Sequence, residues 1–253
     1  MQTERQIEVE RHGASGVIRL ARPDALNAYT PDMGDELVGA FRALAGDADV
    51  AAIVLTGRGR AFCVGADRAF LNGEKGRNGL SLGQEEFIGG FAAELFAIGK
   101  PTIAAINGPA VGLGATMLLP FDFRIAANSA SFSFPFARLG LMPGMGSTFL
   151  LPAIVGPVAA RQIMLGSAKL DSVAAYEVGL VDQVVPDDRL EDEALLFAAS
   201  FAHADAATLA AMKSALVGPQ NAALKSAIDS ELRAARERLA ARVARSKQDT
   251  SRT

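Results

Sequence analysis

Two glycine-bracketed segments hold the residues best placed to do chemistry. Gly59-Arg-Ala-Phe-Cys-Val-Gly-Ala-Asp67 follows the apolar run Ala51-Ala52-Ile53-Val54-Leu55, and Ile106-Asn-Gly-Pro-Ala-Val-Gly-Leu-Gly-Ala115 ends the run that begins at Thr102. Both runs read as buried strands. Each bend therefore lies at a strand's carboxyl end, where open α/β sheets bind ligands. A free backbone N–H in each bend is a donor, and a helix opened by the second adds partial positive charge. Two such donors aimed at one oxygen form an oxyanion hole, the device that stabilises an enolate or a tetrahedral intermediate. Taken singly, either segment reads equally well as a tight turn that needs glycine only for its backbone freedom.

Other short motifs fail. Gly57-Arg-Gly-Arg-Ala-Phe62 and Gly112-Leu-Gly-Ala-Thr-Met117 each supply two glycines of a dinucleotide fingerprint without the third. No phosphate loop ends in Gly-Lys-Ser/Thr, and Gly144-Met-Gly-Ser-Thr148 lacks the spacing of a nucleophile elbow. Cys63 is the only cysteine and His12 and His203 the only histidines, so no metal site is expected.

The elements that must position these bends follow from the hydrophobic pattern. Ile7 to Glu10 and Val17 to Leu20 alternate apolar with polar around His12-Gly13-Ala14-Ser15-Gly16, a hairpin signal. Thr30-Pro31 looks like a helix cap and first-turn proline, with Met33, Leu37, Phe41 and Leu44 at helical spacing behind it. Glu85 to Ile98 and Gly112 to Leu119 read as helices, and Phe123 to Ala126 and Ala130 to Phe134 as short strands. Strands alternating with helices predict an α/β fold with parallel pairing. After Leu150 the chain reads almost wholly as helix apart from Val181 to Val185. Within it, Asn221 to Lys247 carries Arg233, Arg236, Arg238, Arg242 and Arg245 on what reads as a solvated face.

The chain has 253 residues, 50% apolar and 21% charged, with net charge −3, which excludes a disordered polymer. Basic and acidic residues are balanced along most of it, against nucleic acid as the partner. The opening MQTERQIEVERHG lacks a signal peptide's apolar core. The longest apolar stretch is read as Gly108 to Phe121, broken by glycine and proline and shorter than a membrane span. The expectation is a soluble, cytoplasmic protein without a membrane or nucleic-acid partner.

The two bends, in this order, resemble the enoyl-CoA hydratase/isomerase (crotonase) superfamily. The resemblance extends to Arg22-Pro-Asp-Ala-Leu-Asn-Ala28, Phe121-Asp-Phe-Arg-Ile-Ala126, Leu139-Gly-Leu-Met-Pro-Gly144 and Val178-Gly-Leu-Val-Asp182, and covers residues 5 to 215. It implies a crotonase-like spiral of ββα units over residues 1–195 and a C-terminal helical trimerisation region over 196–253. The assembly would be a homotrimer or a dimer of trimers. It also implies an acyl-CoA thioester as the bound partner, with no separate cofactor because coenzyme A enters as part of the substrate. The backbone N–H groups of Ala66 and Leu113 fall at the family's two oxyanion positions. Ala25, Leu26, Ala28, Val64, Gly65, Ala66, Asp67 and Arg68, with Gly112 and Leu139, would line the coenzyme and acyl path, and Arg68 could meet a phosphate.

This sequence departs from the family's hydratases where they carry two glutamates. Those positions are Thr116 and Phe136 here, and a third acid position, near Gly144, is also vacant. General acid–base groups are worth roughly 10²–10⁴-fold each, so hydration should be very slow. Carbonyl polarisation by the backbone would survive. The resemblance therefore implies double-bond isomerisation, decarboxylation or thioester cleavage, in the lyase or isomerase classes, rather than simple hydration. The alternatives are a non-catalytic acyl-CoA carrier or sensor and, more remotely, a nicotinamide-dependent oxidoreductase.

No substitute acid stands out. Glu74, Glu85 and Glu86 read as surface carboxylates, His203 as a loop residue, and Asp67 and Asp122 as structural. Nothing near Cys63 marks it as a nucleophile, and Tyr29 and Tyr176 lack motif context. The Arg/Ala-rich run from Arg233 to Thr253 lacks the acidic, glycine-containing close that helps cover coenzyme A in many relatives.

Overall fold

The structure, a computed structural model, describes the backbone of residues 5–250 and the side chains of residues 5–238. Arg242 and Arg245 of the arginine-rich run lie outside the described side chains. The chain opens with the hairpin β1 (Ile7–His12) and β2 (Ser15–Leu20), antiparallel as expected, turned by Gly13 at φ +59°. Helix α1 (Pro31–Gly46) starts where Thr30 Oγ1 accepts the Met33 N–H at 3.1 Å, with Pro31 in the first turn. Strand β3 (Ala52–Gly57) and the short α2 (Arg68–Leu71) follow. After a glycine-rich excursion, a π-helical turn (Phe87–Phe91) leads into α3 (Ala92–Phe96). Then come β4 (Thr102–Ile106), β5 (Pro109–Val111), α4 (Leu113–Thr116), β6 (Phe123–Ala127), β7 (Ser131–Ser133) and α5 (Phe136–Leu139). The last elements are α6 (Ser147–Gly166), β8 (Lys169–Asp171), α7 (Ser172–Glu177), β9 (Gln183–Val185), α8 (Leu190–Ala199) and α9 (Ala206–Thr250).

Two sheets result. The larger has the order β1-β2-β3-β4-β6-β9, parallel after its first pair; the smaller has the order β5-β7-β8. The chain passes from β4 to β5, back to β6 and out again to β7, so every exit from the large sheet makes a bend at a strand's carboxyl end. Side chains alternate across the large sheet. Ile53 and Leu55 join the main core with α1, α3 and α6, whereas Ala52 and Val54 join a second layer beneath α8 with Leu190 and Ala194. Residue 195 lies inside α8, which runs unbroken across it.

Several expected elements change. The helix read at Glu85 to Ile98 begins as a π-helical turn at Gly89-Gly90, and the one read at Gly112 to Leu119 is regular only over Leu113–Thr116. β5 and β8 lie in stretches read as loop and helix; each is three residues long and exists only through its pairing with β7. Among the described residues, Ser147–Gly166 rather than Gly108 to Phe121 is long and apolar enough to match a membrane span by length and composition. Gly156 breaks it at φ 77° and ψ 160°, and Leu150, Leu151 and Ile163 bury against the core.

Helix α9 begins earlier than the sequence suggested, runs through Pro219, and docks with two buried charges. Lys213 Nζ meets Asp122 Oδ2 at 2.6 Å and the Lys100 carbonyl at 3.1 Å. Glu231 accepts the N–H groups of Gly146 and Thr148 and the Thr148 hydroxyl at 2.7–2.8 Å, capping the start of α6. Between them Leu224 and Ile228 fill the space over Gly146, where a Cβ would lie 2.1 Å from Leu224.

Candidate active site

Two asparagines brace the bends: Asn27 ties its own motif to the first bend, and Asn107 of the second bend reaches across to the first. Asn27 Nδ2 donates to the carbonyls of Arg58 and Ala61, both at 2.9 Å, and Asn107 Nδ2 donates to Gly59 at 2.8 Å while its Oδ1 accepts Gly57 N–H at 3.1 Å. Cys63 N–H donates to Pro109 O at 3.1 Å and Val111 N–H to Cys63 O at 2.9 Å, a short parallel bridge. Contact this close demands glycine. A Cβ at Gly114 would lie 2.1 Å from the Cys63 carbonyl oxygen, and one at Gly65 would lie 2.9 Å from Val111 O and 3.9 Å from Leu113 N. Gly65 and Gly112 also sit at φ +96° and +55°, where side-chain-bearing residues are strained.

Peptide planarity then fixes where the two amides aim. The Gly65 carbonyl accepts Tyr29 N–H at 2.8 Å. Because that carbonyl and the Ala66 N–H belong to one planar trans peptide, the N–H points the opposite way. The Gly112 carbonyl accepts Ala115 N–H and Thr116 N–H, both at 3.0 Å, so the Leu113 N–H is turned outward from α4 in the same manner. Among the described residues neither the Ala66 nor the Leu113 N–H has an acceptor. Two unpartnered donors, one part-buried and one buried, thus stand on adjoining bends.

The residues expected along the coenzyme path come together in part. Val64 N–H donates to Leu26 O at 3.3 Å, and Arg22 pairs with Asp67 at 3.0 Å and donates to the Ala28 carbonyl, so segments 25–28 and 64–68 adjoin. Leu26 and Asn27 both have positive φ, 53° and 55°, held by these bonds. Ala25, Leu26, Ala28 and Val64 are part-buried; Asp67 caps α2 through Ala69 N–H at 3.0 Å, and Arg68 is exposed. Leu139 stands at the end of α5, 58% exposed.

At the vacant acid positions, Thr116 is buried and its hydroxyl donates to Leu113 O at 3.2 Å, one turn back. Phe136 is part-buried and packs against the main core. Gly144 faces Ile88, 3.6 Å from where its Cβ would be. Burial pushes the Cys63 thiol up to about 12, so no thiolate forms at neutral pH. His203 is exposed, and no group of three His, Cys, Asp or Glu among the described residues is arranged to hold a metal.

One expectation is overturned. Glu74 and Glu86 are exposed, the latter paired with Arg42, but Glu85 is 0% exposed. Its carboxylate accepts the Tyr29 hydroxyl at 2.9 Å and Gly83 N–H at 2.7 Å. Burial raises the Glu85 carboxyl above the ordinary carboxylate range and, with Glu85 beside it, raises the Tyr29 phenol as well. Periodicity gave no hint of Glu85, since an acid just before Phe87 looks like a helix's first turn. Tyr29 had one available signal: it precedes the α1 cap, the position whose side chain folds inward over the first turn.

Comparison with known proteins identifies the family. The family profile described as Enoyl-CoA hydratase/isomerase matches residues 10–247. A 1,2-epoxyphenylacetyl-CoA isomerase of Escherichia coli is 35% identical over 224 residues, covering 87% of this chain and 86% of that protein. A probable enoyl-CoA hydratase of Rhodobacter capsulatus is 40% identical over 202 residues, covering 79% and 76%. A crystal structure of an enoyl-CoA hydratase/isomerase from Pseudoalteromonas atlantica superposes with a TM-score of 0.85 at 29% identity, covering 93% and 92%.

Proposed function

The chain belongs to the enoyl-CoA hydratase/isomerase family, and from that premise we propose that it binds an acyl-CoA thioester with the carbonyl oxygen between Ala66 N–H and Leu113 N–H. The observation that carries this reading is the pair of unpartnered amides, each aimed by a hydrogen bond to the carbonyl of its own peptide. One preorganised donor is worth about 10²–10³ in rate, so two lower the cost of an enolate or a tetrahedral oxyanion without any side chain.

We propose further that this protein is a poor hydratase. Adding water across a conjugated double bond needs a base for the water and an acid for the α-carbon. The Thr116 hydroxyl is engaged by Leu113 O, and Phe136 offers no proton. Chemistry through an enolate or a tetrahedral species suits the site better: double-bond isomerisation, decarboxylation or thioester cleavage. Decarboxylation asks least of the protein, because departing CO₂ leaves its electron pair on the polarised thioester and no base is needed. The apolar Phe136 and Ile88 suit a fatty or aromatic acyl group, in keeping with the aromatic substrate in the name of the E. coli relative.

The same back-bonded Thr116 favours a second reading, a carrier or sensor that holds an acyl-CoA unchanged. Incubating purified protein with an acyl-CoA panel and weighing each recovered thioester separates the two. A mass change or a shifted double bond supports the enzyme, and recovery unchanged supports the carrier. Rapid hydration of crotonyl-CoA would refute the poor-hydratase proposal.

A further inference from the structure

We infer that Glu85 and Tyr29 are positioning residues that fix the aim of the Ala66 amide; this rests on the proposal that Ala66 N–H receives the thioester oxygen. The link is a continuous chain of bonds. The Glu85 carboxylate accepts the Tyr29 O–H at 2.9 Å, and Tyr29 is bonded by its own backbone to both neighbours of Ala66. Its N–H donates to Gly65 O and its carbonyl accepts Asp67 N–H, both at 2.8 Å. The Gly65 carbonyl and the Ala66 N–H share one rigid peptide, so any swing of that carbonyl re-aims the donor by the same angle.

Tyr29 is itself held on every side. Its ring stacks on Phe87 at 5.5 Å, and Gly34 lies so close that a Cβ there would sit 2.0 Å from the hydroxyl oxygen. Both Tyr29 and Glu85 are 0% exposed, so the bond between them is shielded from bulk solvent. The second carboxylate oxygen accepts Gly83 N–H at 2.7 Å, which ties the excursion between α2 and the π-helical turn into the same network. A buried carboxylate is costly unless bonded, and replacing both Glu85 and Tyr29 by apolar residues of similar shape would remove that cost. Its presence directly behind the first oxyanion donor is accounted for by the register it imposes on residue 29 and, through it, on residues 65–67.

The test uses 4-(dimethylamino)cinnamoyl-CoA, a thioester whose absorption moves to longer wavelength when its carbonyl is polarised. Bound spectra at saturation, Kd and Tm are measured for the full-length chain, for Tyr29→Phe, for Glu85→Leu and for the double variant. The inference predicts a clear red shift in the unmodified protein and loss of most of it in each variant. Kd should change by less than about threefold. Because the two residues act in one chain, the double variant should lose no more than either single one. Should one single variant fail to fold, the other carries the same prediction. Folded variants that bind the probe with the full red shift would overturn the inference and leave the proposed function intact. Absence of a red shift in the unmodified protein would overturn both.

Discussion

Around Ala66 and Leu113 the atoms that hold the two donors directly are backbone carbonyls and glycines, whereas α9 docks with two buried charged side chains beside its leucine and isoleucine. In the first region, carbonyls of Gly65 and Gly112 hold the donors, and Gly65 and Gly114 let two bends approach to contact. In the second, Lys213 reaches Asp122 and Glu231 reaches the start of α6, each from a helix whose opposite face is solvated. The two regions should therefore fail differently. The backbone site has no slack for an added methyl. The α9 contacts depend on charge and protonation.

The largest effect should come from adding one methyl group at Gly114. The new Cβ would press on the Cys63 carbonyl at 2.1 Å, and neither backbone can move without breaking the bridge between the bends. Gly114→Ala should cost at least about 3 kcal/mol in denaturant unfolding and abolish acyl-CoA binding. At Gly39, in the middle of α1 with nothing within 4 Å, the same change should stabilise by about 0.5–1 kcal/mol. If the two substitutions behave alike, the close approach of the bends is wrong.

Next in size is Lys213→Ala, expected to cost about 2–3 kcal/mol because Asp122 loses its buried cation yet keeps the two Thr102 donors. Thiol-free chemical denaturation would measure it, and a cost as small as that of an exposed residue would show that α9 docks by its leucines alone.

The smallest predicted effects are slopes of stability against pH, opposite in sign for the two buried charges of α9. Burial raises the Glu231 carboxyl above 4.5 in the folded protein. Between 4.5 and that raised value the folded state holds a proton that the unfolded chain has released, so stability falls as pH rises through this window. Burial lowers the Lys213 ammonium below 10.5, so toward the alkaline end the unfolded chain binds the extra proton and stability rises with pH. Tm measured across pH should show the acid-side slope flattened in Glu231→Gln. An unchanged slope would remove Glu231 as its source.

The same contrast explains what was legible in the sequence. The bends could be read because a bend that tight requires glycine at particular places, and Gly59, Gly65, Gly112 and Gly114 stand there in the open. β3, β4 and the capped α1 were legible for a related reason, since their burial is written in a continuous run or a helical period. Glu85 was misread as a surface carboxylate because its partner, Tyr29, lies 56 residues away in sequence. Lys213 and Glu231 were invisible likewise: each is a charged residue in an alanine-rich helix until α9 is laid on α3 and α6. β5 and β8, three residues each, have no pattern of their own and become strands only against β7.

Isotope-edited infrared spectroscopy reaches the central claim most directly. An acyl-CoA carrying ¹³C at the thioester carbonyl would be compared free and bound to the purified protein. Two amides sharing that oxygen should lower and narrow its stretching band on binding, and Gly65→Ala should restore the free position in whatever fraction still binds. A bound thioester whose carbonyl band stays where it is in water would contradict the account.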